Sequence, residues 1–166
     1  MHNHEIDPHL KKMAHVTKDE NFFIRNIKQI DKNSFTAQIL INSGHEYLYE
    51  YTRNCNHVTS TAFIDSACQI IRTCLHEFCD TPKDDQLTLK SASMNFNSWA
   101  FTDQIMHVKV MYLAEINTSR GHLEKKFNIQ FYQDRNIKME MDVTCFCLNE
   151  KIQERLIEMA KQKQQA

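Results

Sequence analysis

The chain has 166 residues, 42% hydrophobic and 25% charged, with a formal net charge of −1. That length fits one domain with a substantial core, and that apolar content excludes a disordered chain. Lys and Arg are scattered rather than striped, which leaves no electrostatic footprint for nucleic acid or an anionic membrane surface.

No apolar run approaches the ~18 residues of a spanning helix, and the first twenty residues are too polar for a secretory signal. The expectation is a cytoplasmic protein. Its six cysteines (Cys55, Cys68, Cys74, Cys79, Cys145 and Cys147) then read as reduced, mostly core thiols. None shows the paired C-x-x-C spacing of a zinc site, so neither metal nor cofactor is expected. With two glycines and two prolines, tight turns fall to Asn, Asp and Ser. The glycine-rich loops that cradle phosphates are missing, which argues against Rossmann and P-loop nucleotide sites.

Residues 1–20 form a polar N-terminal extension with a short helix around 8–15. Strands follow at 22–30 and 34–42, joined across Asp31, Lys32 and Asn33 as a hairpin. In the second, Phe35, Ala37, Ile39 and Ile41 alternate with Thr36 and Gln38, the period of a sheet with one wet face. A short third strand is predicted at EYLYEYT, where Tyr47, Tyr49 and Tyr51 share a face. Residues 59–79 read as a long helix, with Thr59, Ser60 and Thr61 offering hydroxyls to its first turn. Phe63, Ala67, Ile70, Cys74 and Phe78 mark one face, while Ile64, Ile71 and Leu75 widen it until the helix needs cover on most sides. Asp80-Thr81-Pro82 breaks it. Strands are then predicted at 87–96, 103–117, 123–133 and 136–149. Ile152, Leu156 and Met159 mark a C-terminal helix in residues 150–166, with KQKQQA as a frayed end.

Strands segregated from one dominant helix indicate an α+β fold. A long antiparallel sheet curled around that helix explains its broad apolar surface. This is the hot-dog arrangement, predicted for residues 21–149. The alternative, a cystatin-like cone, places its helix before the sheet, whereas two strands precede residue 59 here. A plain β-barrel binding protein fits less well, because the helix is too long and too apolar.

Within the helix, Asp65-Ser66-Ala67-Cys68-Gln69 resembles the acid-Ala-x-Ala-Gln signature of the thiol-ester dehydratases, with the acid one methylene shorter. His57, eight positions before Asp65, is similar to the His of A-factor biosynthesis hot-dog domains. The same His, twelve before Gln69 with an aromatic at Phe63, resembles type III acyl thioesterases. Departures are visible too. Thr59-Ser60 stands where the dehydratases carry Pro-Gly, and their catalytic His would fall at Tyr51. The Gly-His-x-Asn of many thioesterases reads Asn56-His57-Val58-Thr59.

The resemblance, over roughly residues 20–148, implies an enzyme of acyl thioesters in fatty acid or polyketide metabolism. The leading expectation is a thioesterase acting on acyl-CoA or an acyl carrier protein. Acyl transfer or dehydration on a carrier-bound intermediate is the second, and a non-catalytic acyl-binding or interaction subunit the third. It also implies a homodimer or higher oligomer with sites between subunits. In such a site the amides of residues 59–62 would hold the carbonyl oxygen. Asp65 would orient or deprotonate water, His57 would serve as alternative base or as acid to the leaving thiolate, and Gln69 would orient Asp65 or the substrate. Asn56, Thr59, Ser60, Thr61 and Tyr51 are candidate substrate contacts. Cys55 is a weak candidate nucleophile, because no base stands beside it in the sequence. Met106, Met111, Met139 and Met141 read either as an adaptable acyl tunnel or, more simply, as core.

Overall fold

In the computed structural model, residues 6–44, 56–118, 123–148 and 150–164 are described. Helix α1 (Pro8–Met13) and a 3₁₀ turn (Asp19–Asn21) lead into the hairpin β1 (Ile24–Asp31) and β2 (Ser34–Leu40). The long helix α2 (Ser60–Phe78) follows, then β3 (Gln86–Phe96), β4 (Ile105–Asn117), β5 (Leu123–Gln133), β6 (Asn136–Leu148) and helix α3 (Glu150–Gln164). The strand predicted at EYLYEYT, with Tyr51 and Cys55, lies outside the described residues.

All pairings are antiparallel and the strand order is β1-β2-β4-β5-β6-β3. The chain therefore leaves β2, runs down α2 and returns at the far edge. Alternation divides the sheet cleanly. Phe35, Val110, Ile129 and Met141 are buried against α2, while Thr36, Lys109, Gln130 and Glu140 sit side by side on the outer face. This is the α+β hot-dog fold expected from the element order. Met106, Met139 and Met141 are wholly buried in the core.

Burial of α2 extends to polar residues, among them Ser66, Gln69 and Thr73. The hydroxyls of Ser66 and Thr73 donate to the carbonyls four residues back, at 2.7 and 2.9 Å. Gln69, 2% exposed, reaches outside the helix. Its amide donates to the Asn21 carbonyl (2.7 Å) and to Asp65 (3.0 Å), and its oxygen accepts the Phe23 N–H (3.1 Å). That last bond explains why β1 begins at Ile24 rather than at the predicted residue 22. The Phe23 N–H is spent on α2, although the Phe23 carbonyl still pairs with Leu40.

Other boundaries have equally local causes. Thr59 is the N-cap of α2, its Oγ1 accepting from Ala62, and Cys79 closes the other end. Strand β4 starts at Ile105 because Asp103 adopts φ 59°, outside any strand. The β5–β6 hairpin turns through Asp134 (φ 53°) and Arg135 (φ 64°), the double left-handed geometry that a two-residue turn requires. Helix α3 runs through Lys161–Gln164, a segment expected to fray; Lys and Gln are good helix formers. Lys125 faces inward beneath the end of α2, its Nζ on Thr81 (3.3 Å) and Glu115 (3.4 Å). A cation there complements the helix dipole. The described cysteines are free thiols, and burial pushes Cys145 up to about 12 and Cys147 up to about 11.

Helix α1 docks on the C-terminal half of α2. His9 meets Glu77 at 2.7 Å, and His15 stacks on His76 with centroids 4.9 Å apart. His15 sits at φ 57°, which ends α1 at Met13 instead of residue 15. His76 is 7% exposed; its Nδ1 meets the Thr81 carbonyl, and its Nε2 has no partner among the described residues.

Two predictions follow from these contacts. Replacing Gln69 with Leu strands the Phe23 N–H and Asn21 carbonyl, so denaturant titration should show a loss of about 2–4 kcal/mol. Desolvation, then His76 and Arg72, lower the His15 pKa below 6.5, against a weaker pull from Asp84. The unfolded chain thus binds the extra proton, so this contribution is lost as pH falls through about 6.5. Thermal melts from about pH 8 to about pH 5.5 should fall less steeply in His15→Asn than in the wild type.

Candidate functional site

The amino end of α2 is held by the loop that joins β3 to β4. The Val58 N–H donates to the Ala100 carbonyl (2.8 Å), and the Thr102 N–H to the Asn56 carbonyl (2.9 Å). These bonds flank an isolated bridge between His57 and Phe101. The loop is anchored from behind by Gln133, a buried residue whose side chain accepts the Phe101 N–H (2.8 Å) and donates to the Phe101 carbonyl (2.9 Å). A side chain here imitates a strand neighbour. Two further bonds, from the Asn97 and Ser98 amides to the Lys138 carbonyl, fold the loop against β6.

Between this loop and α2 lies a cleft of about 500 Å³, lined among others by His57, Thr59, Ser60, Phe63, Phe96 and Trp99. His57 is half-buried, and its ring lies 4.5 Å from that of Trp99, tilted by 60°. Phe63 forms the inner end. Its ring meets Phe131 edge-on at 5.0 Å and Phe96 at 6.0 Å. Thr59 binds Ala62 through its hydroxyl and Phe63 through its carbonyl, so the Ser60 and Thr61 amides remain the first turn's outward donors. Such amides stabilise an oxygen that gains negative charge.

The predicted site residues do not all converge. His57, Thr59 and Ser60 line the cleft. Thr61 is exposed and does not. Asn56 is exposed and contributes its backbone, accepting from both the amide and the hydroxyl of Thr102. Asp65 is half-buried, one to two turns down α2 and roughly 200° around it from Phe63. It stands beside Gln69, away from the cleft, and Gln69 is committed to tying α2 to the β1 lead-in. Tyr51 and Cys55 fall outside the described residues. Among the described residues, no group of three or more His, Cys, Asp or Glu is arranged to hold a metal.

Sequence reasoning missed Phe96, Trp99 and Gln133. One signal was available: the only tryptophan of the chain sits in a polar turn, Asn97-Ser98-Trp99, where nothing local buries it.

Several solved structures share this architecture. The dehydratase heterocomplex ApeI:P from Xenorhabdus doucetiae aligns with TM-score 0.67 and 12% identity, covering 92% of this chain and 99% of that one. A phenylacetic acid degradation-related protein from Ralstonia eutropha JMP134, a thioesterase candidate by its name, gives 0.57 and 8%, covering 86% and 92%. The Escherichia coli PaaI protein from the phenylacetic acid degradation operon gives 0.55 and 7%, covering 83% and 87%. At these identities the likeness is one of fold. No curated protein matches at the level of sequence. The family model for the A-factor biosynthesis hotdog domain matches residues 4–149, nearly the whole chain, and this protein belongs to that family.

Proposed function

We propose that this protein handles acyl thioesters, and that it hydrolyses them as an acyl-CoA or acyl-carrier-protein thioesterase. The observation that carries the reading is the open amino end of α2, where helix amides, His57 and an apolar recess share one cleft. The thioester carbonyl oxygen would sit on the Ser60 amide, the outward donor of the first turn that borders the cleft. Water would add to the carbonyl carbon as a carboxylate takes its proton, the C–S bond would break to release the acyl group as the free acid, and the sulfur would leave as a thiol with a proton from His57.

The carboxylate is the harder part, because Asp65 of the same chain serves a different side of α2. A second copy resolves this by presenting its Asp65 to the cleft. Strand β3 is the surface for it. It is one of the two outer strands of the described sheet, and its helix-side residues Leu89 and Phe96 remain exposed, Phe96 at 51%. An uncovered strand edge with an apolar face is suited to pair with another chain. A homodimer joined along β3 is therefore part of the proposal.

Incubation with acyl-CoA esters, followed by thiol release, tests the activity. His57→Ala and Asp65→Asn should each lower kcat by roughly 10²–10⁴-fold, and a fully active double variant would refute the assignment. Mixing the two single variants should restore about one quarter of wild-type activity, since half of the dimers then hold one intact site. No recovery on mixing places both residues in one chain's site. Dehydration or acyl transfer on a carrier-bound intermediate is the second reading, supported by the likeness to ApeI:P over nearly the full chain. Product formation from a 3-hydroxyacyl substrate or an added acceptor, without free acid, would select it.

A further inference from the structure

We infer that the cleft accepts only a neutral acyl group that is short or no larger than a single ring, with Phe63 and Phe96 as the residues that set this limit. The inference rests on the thioester reading of the same cleft and adds a substrate class to it.

A long acyl tail would have to pass between α2 and the sheet. That route is closed at its first step. Phe63, 2% exposed, lies across the inner end of the cleft with its edge against Phe131, which is wholly buried. Phe96, Met139 and Phe131 are direct neighbours across β3, β6 and β5, so the wall behind Phe63 is continuous. Native cores are packed to crystal-like density and do not open for a chain without cost. The recess that remains is bounded by aromatic rings, which favour flat or compact apolar groups. Polar atoms belong to its rim: Thr59 and Ser60 at the helix start, with the exposed Asn97 and Ser98 opposite. This polarity gradient sets the thioester at the mouth and the acyl group inward.

Charge narrows the class further. The described lining contains no Lys, Arg, Asp or Glu. A carboxylate-bearing acyl group such as succinyl would be desolvated inward of His57, between Phe63 and Phe96, without a charged partner. Trp99 stands at the outer edge, 68% exposed and against His57, where the thioester of a bound substrate would cover its indole.

The test uses the full chain with acetyl-, hexanoyl-, benzoyl-, succinyl- and palmitoyl-CoA, the last kept below its micellar concentration. Hexanoyl- or benzoyl-CoA should exceed palmitoyl- and succinyl-CoA in kcat/KM by roughly tenfold or more. Phe63→Ala, or Phe96→Ala at a half-exposed site should the first not fold, should shift the palmitoyl-to-hexanoyl ratio upward by roughly tenfold. Palmitoyl- or succinyl-CoA turned over as well as hexanoyl-CoA overturns the inference and leaves the hydrolase reading intact. If no ester is turned over, Trp99, the sole tryptophan, reports binding directly. A saturable fluorescence change with hexanoyl-CoA, absent with CoA alone, supports the pocket while the hydrolase reading falls. No change with any acyl-CoA overturns the pocket as well.

Discussion

A helix that is buried on most sides cannot leave its side-chain polar groups to water, and α2 sets the terms for everything around it. Ser66 and Thr73 turn their hydroxyls back on their own helix. Gln69 cannot do so and instead takes up the backbone where the chain enters β1. The first strand is thus positioned by a side chain that comes 46 residues after Phe23. The carboxyl end is closed by its own cap, by the buried Lys125 beneath it and by the α1 contact through His76. Only the amino end remains where helix amides point outward beside a recess. The candidate site lies at that open end.

That end is also where the sheet lends its rigidity to a loop. Gln133 terminates β5 and grips Phe101 by both backbone groups; Phe101 bridges to His57; His57 rests against Trp99. Each link is short and each is made by a different element. A His in a free turn would sample many orientations. This one is held by backbone pairing on one side and by an indole on the other, the kind of preorganisation that a proton-transfer residue benefits from.

Much of the fold was legible because two periods dominate the chain. Phe127, Ile129 and Phe131 alternate as a half-wet strand does, and the width of the apolar surface from Phe63 to Leu75 required a wrapping sheet. The site was legible only in part. His57, Thr59 and Ser60 were found because a helix start announces its own chemistry. Phe96 ends β3 and Trp99 belongs to the loop after it, and no local pattern shows which helix end they will close. Gln69 was recognised as a feature of the helix, yet its partners at Asn21 and Phe23 are set by tertiary packing. Spacing alone also gave no means of telling that Asp65 and His57, eight residues apart, would face different surfaces.

The separation of those two residues has a consequence for assembly. Were Asp65 beside His57, one chain would carry a complete acid–base pair, and the β3 edge, unpaired among the described residues, would be an unrelated liability. Because they diverge, the exposed edge and the missing carboxylate become the same problem. A second copy laid along β3 would cover Leu89 and Phe96, extend the sheet and bring another α2 toward the cleft. Phe96 would then have two tasks, closing the acyl recess from one side and packing the junction from the other. Substrate size and association would be set by the same ring, so a smaller residue there should loosen both together. A change confined to Trp99, farther from the edge strand, should affect the recess alone.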